Sequence, residues 1–133
     1  MANPLLLDIA LFLKAAGTVV GDGKDTFRDF IPEEPDNIVV LYEYRGDPAS
    51  LFDEAVNRSV QITVRNKKAD VARQKAIEIF KALKTACNED GKLNFTNERW
   101  GQVFFRQPPF PLGRDENNRA QYAFNVGITT TID

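Results

Sequence analysis

Residues 58–83 read RSVQITVRNKKADVARQKAIEIFKAL, and the fold turns on a change of period inside this stretch. Val60, Ile62 and Val64 alternate with Ser59, Gln61, Thr63 and Arg65, which gives a strand one apolar and one polar face. Beyond Asn66 the apolar positions become Ala69, Ala72, Ala76, Ile79, Phe80, Leu83 and Cys87. Their spacings of three and four draw one stripe down a helix. Asp70 near the start of that helix and Lys81 and Lys84 near its end complement its dipole. A half-buried strand followed by an amphipathic helix predicts a sheet covered by a helix around one shared core. The unit carries no chemistry of its own.

Working outward, residues 3–17 describe a second helix: Asn3 as N-cap, Pro4 at the first helical position and Gly17 just past the end. Leu5, Leu6, Ile9, Phe12, Leu13 and Ala16 supply its apolar face. Asp8 interrupts the run, no basic segment precedes it, and its length falls short of the ~20 residues that span a bilayer. A soluble helix lying on the sheet is expected rather than a targeting segment.

Residues 18–35 mix apolar pairs with glycine, aspartate and proline and support only brief strands joined by turns. Residues 37–45, NIVVLYEYR, form a strand apolar on both faces, with Val39 and Leu41 on one and Ile38, Val40 and Tyr42 on the other. Either a central position covered on both sides or burial by another chain accounts for that. Residues 46–57 make a long connection with room for a helical turn, and residues 88–97 a polar one. Trp100–Arg106 reads as a strand and residues 107–118, QPPFPLGRDENN, as a proline-rich loop. Residues 119–133 alternate again, with Tyr122, Phe124, Val126, Ile128 and Ile132 on one face. With no repeat and no linker, the chain is expected to form a single domain over residues 1–133. Its class is α+β: a two-layer sandwich, mostly antiparallel sheet with two main helices packed on one face.

The composition narrows the chemistry. Seventeen basic and nineteen acidic side chains leave a net charge of −2, so the totals do not suggest a broad nucleic-acid surface. Arg65, Lys67, Lys68, Arg73 and Lys75 cluster without interleaved aromatics, and no direct sequence-specific nucleic-acid binding is expected. There is no histidine and one cysteine, which removes Cys/His zinc sites and histidine-based dyads. Cys87 lies on the apolar stripe and reads as a core thiol. The GDG at residues 21–23 lacks the rest of a phosphate loop. Carboxylates remain: Glu33, Glu34 and Asp36, or Glu89 and Asp90, have the residue types for a hard cation or acid–base work. Adjacent acids in polar loops are more often solvated. No catalytic residue, metal ligand or cofactor is assigned.

Three further motifs carry a resemblance. Gln61, Ile62, Val64 and Arg65 end a strand as Q-I-x-V-R; Ala72 and then Ile79, Phe80 and Leu83 mark the helix; Pro109, Leu112, Gly113, Asp115 and Arg119 precede the last strand. Together with the N-terminal helix and IPEEPDN at residues 31–37, they resemble the tail terminator, or minor capsid, family of long-tailed bacteriophages. Phe80 and Asn118 stand where tyrosine and glycine are commoner in that family.

The resemblance implies a structural virion protein of the neck region, assembled in the host cytoplasm, and no enzyme. Members form small α/β domains that assemble as a hexameric homo-oligomer ring, cap the tail tube and provide the surface that joins the head. The implied partners are further copies of the chain, the tail-tube protein, and a head–tail connector or head-completion protein; no membrane is involved. Another neck or head-completion ring protein is the alternative, and a carboxylate-dependent metal enzyme is the alternative of a different class. Candidate contact residues come from the long polar-rimmed loops: Asp22, Phe27 and Asp29; Asp47 and Phe52; and Pro109, Phe110, Arg114, Asp115 and Arg119. Charge reversal at Arg114 or Asp115 is expected to weaken assembly more than folding.

Overall fold

The computed structural model describes residues 3–44, 55–96 and 99–131. Its elements in chain order are α1 (Leu5–Ala15), β1 (Thr26–Arg28), β2 (Ile38–Tyr44), β3 (Ala55–Asn66), α2 (Ala69–Ala86), β4 (Lys92–Thr96), β5 (Arg99–Arg114) and β6 (Ala120–Thr131). The period change after Asn66 is where β3 gives way to α2. All seven stripe positions from Ala69 to Cys87 meet the core, with Ala72, Ala76, Ile79 and Leu83 fully buried. The strand's apolar face is equally complete, since Val60, Ile62 and Val64 are each almost wholly buried.

One six-stranded sheet runs in the order β1-β2-β3-β6-β5-β4. β1 pairs parallel with β2, and the other four pairings are antiparallel. Val39 and Leu41 join Val60, Ile62, Val64, Val103, Phe124, Val126 and Ile128 in the same core as both helices. The face toward the helices is therefore fixed by alternation along every strand. Edge-on ring contacts anchor it: Phe80 of α2 meets Phe105 and Phe124 with centroids 5.0 and 5.3 Å away, and Phe12 of α1 meets Phe95 at 6.1 Å.

The sheet is not the flat layer of a sandwich. It curls into a half-barrel, and α1 touches β4 at one margin as well as β1 and β2 at the other. Long twisted strands coil, and three register shifts in the β5–β6 ladder sharpen the bend. Curling lets a narrow sheet close around Leu5, Leu6, Ile9, Ala10 and Leu13, so much of α1's circumference is buried.

Several local expectations need correction. Asn3 does not cap α1: Pro4 holds that position, and the Asn3 amide donates to Asp8 Oδ1 at 3.2 Å. Gly17 does follow the helix at φ +79°. The polar connection after α2 contains a strand, β4, whose Leu93 and Phe95 are buried in the core. The proline-rich segment is largely strand as well, because β5 continues to Arg114. β4 pairs only as far as Gln102, so the later part of β5 is a sheet edge where Pro108, Pro109 and Pro111 forfeit no ladder bond on the outer side. Most of the connection expected at residues 46–57 lies outside the described residues.

Candidate assembly surface

The described loops sort into two regions, and the first sits where β2 starts, β3 ends and β5 turns into β6. Here the segment 31–37 wraps around two buried guanidinium groups. Arg65 Nε donates to the Asp36 carbonyl at 3.0 Å, and its Nη2 donates to the carbonyls of Pro35 at 2.7 Å and Glu33 at 3.3 Å. Arg119 Nη1 donates to the Glu33 carbonyl at 2.6 Å and Asp36 Oδ1 at 3.3 Å, and its Nε to Asp115 Oδ2 at 2.8 Å. Asp115 Oδ1 also accepts the backbone N–H groups of Asn117 and Arg119 at 3.0 and 2.8 Å, which shapes the turn. Asn118 there takes φ +60°, a left-handed conformation that asparagine tolerates.

The electrostatics follow. Burial and the neighbouring Arg119 charge lower the pKa of Arg65. The Asp36 carboxyl is held below its ordinary value first by a hydrogen bond from Lys67, and then by Arg119, against the opposing effect of burial. For Asp115 burial pulls upward but is outweighed by the Arg119 N–H, the Arg119 guanidinium and the Asn117 N–H, so its pKa is lowered. The Q-I-x-V-R arginine and the loop's Asp115 and Arg119 thus serve one internal network. Arg114, by contrast, is exposed and its Nη1 donates to the Asn118 carbonyl at 2.7 Å. Pro109 and Phe110 are half-buried on the edge of the sheet.

The second region is the loop before β1 and the turn after it. The Asp25 carboxylate accepts from the Val20, Gly21 and Thr26 groups at 2.9–3.1 Å, and Asp22 pairs with Arg28 at 3.0 Å. Phe27 meets Phe30 edge-on at 5.6 Å, and Phe30 remains 56% exposed. Asp29 takes φ +63° and its N–H donates to the Leu41 carbonyl. Its carboxylate has no ion-pair partner among the described residues; burial first, and then the Asp29 charge, raise the pKa of Tyr42. The structure brings Asp22, Phe27 and Asp29 together and, separately, Asp115 and Arg119. Asp47 and Phe52 lie outside the described residues.

Sequence reasoning passed over the outer face of β5. Val103 and Phe105 point into the core, so Trp100 and Phe104 point out, 49% and 47% exposed. Lys92 Nζ stands 5.5 Å from the Trp100 ring centre. The signal was present in WGQVFFR, where Gly101, Val103 and Phe105 alternate with these residues, but the direction of the core was needed to read it. No group of three acidic or cysteine side chains is arranged to hold a metal ion among the described residues. No described helix is long and apolar enough to cross a membrane.

No curated protein matches the sequence. A family model described as bacteriophage tail terminator protein matches residues 12–132, which takes in α2, the six strands described and only the last turn of α1. The motifs at Arg65, Asp115 and Arg119 fall within that match and are explained by the buried network they build. The chain belongs to the bacteriophage tail terminator family.

Proposed function

We propose that this virion component caps the phage tail tube as a homo-oligomeric ring and presents the surface to which the head is joined. The observation that carries the reading is the family match across residues 12–132. The absence of histidine from the sequence is in keeping with a structural task. In this reading the ring sits at the neck and assembles in the host cytoplasm from further copies of the chain. The tail-tube protein meets one rim, and a connector or head-completion protein meets the other. Arg114, Phe27 and Asp29 offer exposed or half-exposed contact groups, whereas Asp115 and Arg119 act by holding the loop that displays Arg114.

Purified chain added to polymerising tail-tube protein tests this, with tube length and end structure read by electron microscopy. Tubes of defined length bearing a cap at one end are the expected result. A chain that neither binds tube ends nor limits their growth overturns the proposal.

A further inference from the structure

We infer that copies of this chain join head to tail, the β1 margin of one subunit seating on the outer face of β5 in the next. The inference deepens the ring proposed above and rests on its self-assembly, not on tail-tube binding.

Phe27 lies opposite Val40 in the parallel β1–β2 register, and Val39 and Leu41 face the core, so Phe27 stands on the outer face. With Phe30 it makes an aromatic pair at the β1 margin. Trp100 and Phe104 make the corresponding apolar strip toward the opposite margin, also on the outer face. Phe30, Trp100 and Phe104 are exposed and Phe27 is half-buried, rings of the kind that interfaces bury because aromatic side chains bring much contact area for little lost rotamer freedom. The sheet curls around the helices, so the outer face at one margin looks away from the outer face at the other. A single subunit cannot bring the two strips together, whereas a neighbour on each side can.

The charges distinguish the two margins. Around β1, Asp22 is paired with Arg28 and Asp25 accepts from neighbouring N–H and hydroxyl groups, whereas the Asp29 carboxylate beside Phe27 and Phe30 has no ion-pair partner among the described residues. The β5 side carries Lys92 over Trp100, and Arg106. Arg106 lies across Gly127: a Cβ built there would stand 2.9 Å from Arg106 Nη2 and 3.0 Å from its Nε. Gly127 points outward because Val126 and Ile128 point into the core, so the guanidinium is laid on the outer face beside Phe104, which pairs with Gly127. No carboxylate answers it among the described residues. An aromatic strip with an unanswered acid on one margin and an aromatic strip with an unanswered guanidinium on the other are complementary. Like margins repel, which selects the head-to-tail arrangement over a two-fold pair.

Two variants test this. Asp29→Asn/Phe30→Ser disables the acidic margin without demanding more of a left-handed backbone position, and Phe104→Ser/Arg106→Glu disables the basic one. All four side chains are outside the core, and circular dichroism and thermal melts check folding. Each variant alone should self-associate on the order of 30-fold more weakly than the unaltered chain. Mixed, the two should form a one-to-one dimer that takes up no third subunit, because one intact pair of margins is used and none remains. Sedimentation and light scattering read this directly. Variants that each assemble like the unaltered chain, a mixture that stays monomeric, or an unaltered chain monomeric at every concentration overturn the inference. The tube-capping measurement remains separate: assembly through these margins without capping overturns the proposed function alone, and capping by both variants overturns the contact alone.

Discussion

Arg65 and Arg119 donate to the same oxygen, the Glu33 carbonyl, at 3.3 and 2.6 Å. Two cations converge on one acceptor with both side chains nearly out of solvent. The arrangement holds because Arg65's remaining donors find the carbonyls of Pro35 and Asp36, while Asp115 and Asp36 balance Arg119. Replacing Arg65 with methionine keeps the stem's packing and leaves buried carbonyls without donors. A loss of about 2–3 kcal/mol in unfolding free energy is expected. Arg65→Lys should recover little of it, because an ammonium cannot reproduce the forked geometry. Urea denaturation of both variants checks this.

The same network makes stability fall in acid. Asp36 and Asp115 have folded pKa values below their ordinary value of 3.8. Their contribution is therefore fully present above that value and is lost as pH falls through the depressed folded values. The urea midpoint should hold from neutrality to about pH 4 and drop below it. In Asp115→Asn the midpoint should start lower and the acid drop should be shallower; an unchanged acid limb would show that this carboxylate is not part of the linkage.

At the other end of the sheet, Arg99 Nε meets Asp8 Oδ2 at 2.6 Å with both side chains 4% exposed. Arg99 Nη2 also donates to the Asn3 carbonyl at 2.9 Å, so the pair ties the first turn of α1 to the start of β5. Asp8→Ala takes this carboxylate away from a buried guanidinium and should cost about 3–5 kcal/mol. Asp8→Leu combined with Arg99→Met should be much less destabilised than the sum of the single changes, as a double-mutant cycle would report.

Two glycines on neighbouring strands should respond differently to alanine. At Gly101 a Cβ would stand 2.9 Å from Ile128 Cγ2 and 3.1 Å from the Phe95 ring, both within the core, so Gly101→Ala should cost about 1–3 kcal/mol. At Gly127 the obstacle is chiefly the free end of Arg106, which can swing away, so the melting temperature should change little. The displaced guanidinium should nevertheless weaken self-association.

Arg114 and Asp115, adjacent in sequence, now call for opposite experiments. Arg114→Glu should weaken assembly while leaving the melting temperature nearly unchanged, because the side chain is exposed. Asp115→Lys should lower the melting temperature, because it places a cation against Arg119; any effect on assembly then follows from the loop.

The sequence by itself determined the elements whose periodicity is strong: the alternation of β3, the seven-position stripe of α2, the inward set of β6, and the family. It also determined, through the missing histidine, which chemistries have no residues to run on. Only the tertiary structure decided that prolines 108, 109 and 111 extend a strand, because tolerance for a missing N–H depends on whether a neighbour lies alongside. Likewise, the purpose of Arg65, Asp115 and Arg119 became visible only when residues far apart in the chain met around the carbonyl of Glu33. Periodicity reports which way a side chain faces relative to its own element. What it faces, and whether a face is left over for a neighbour, is set by how the sheet closes around α1.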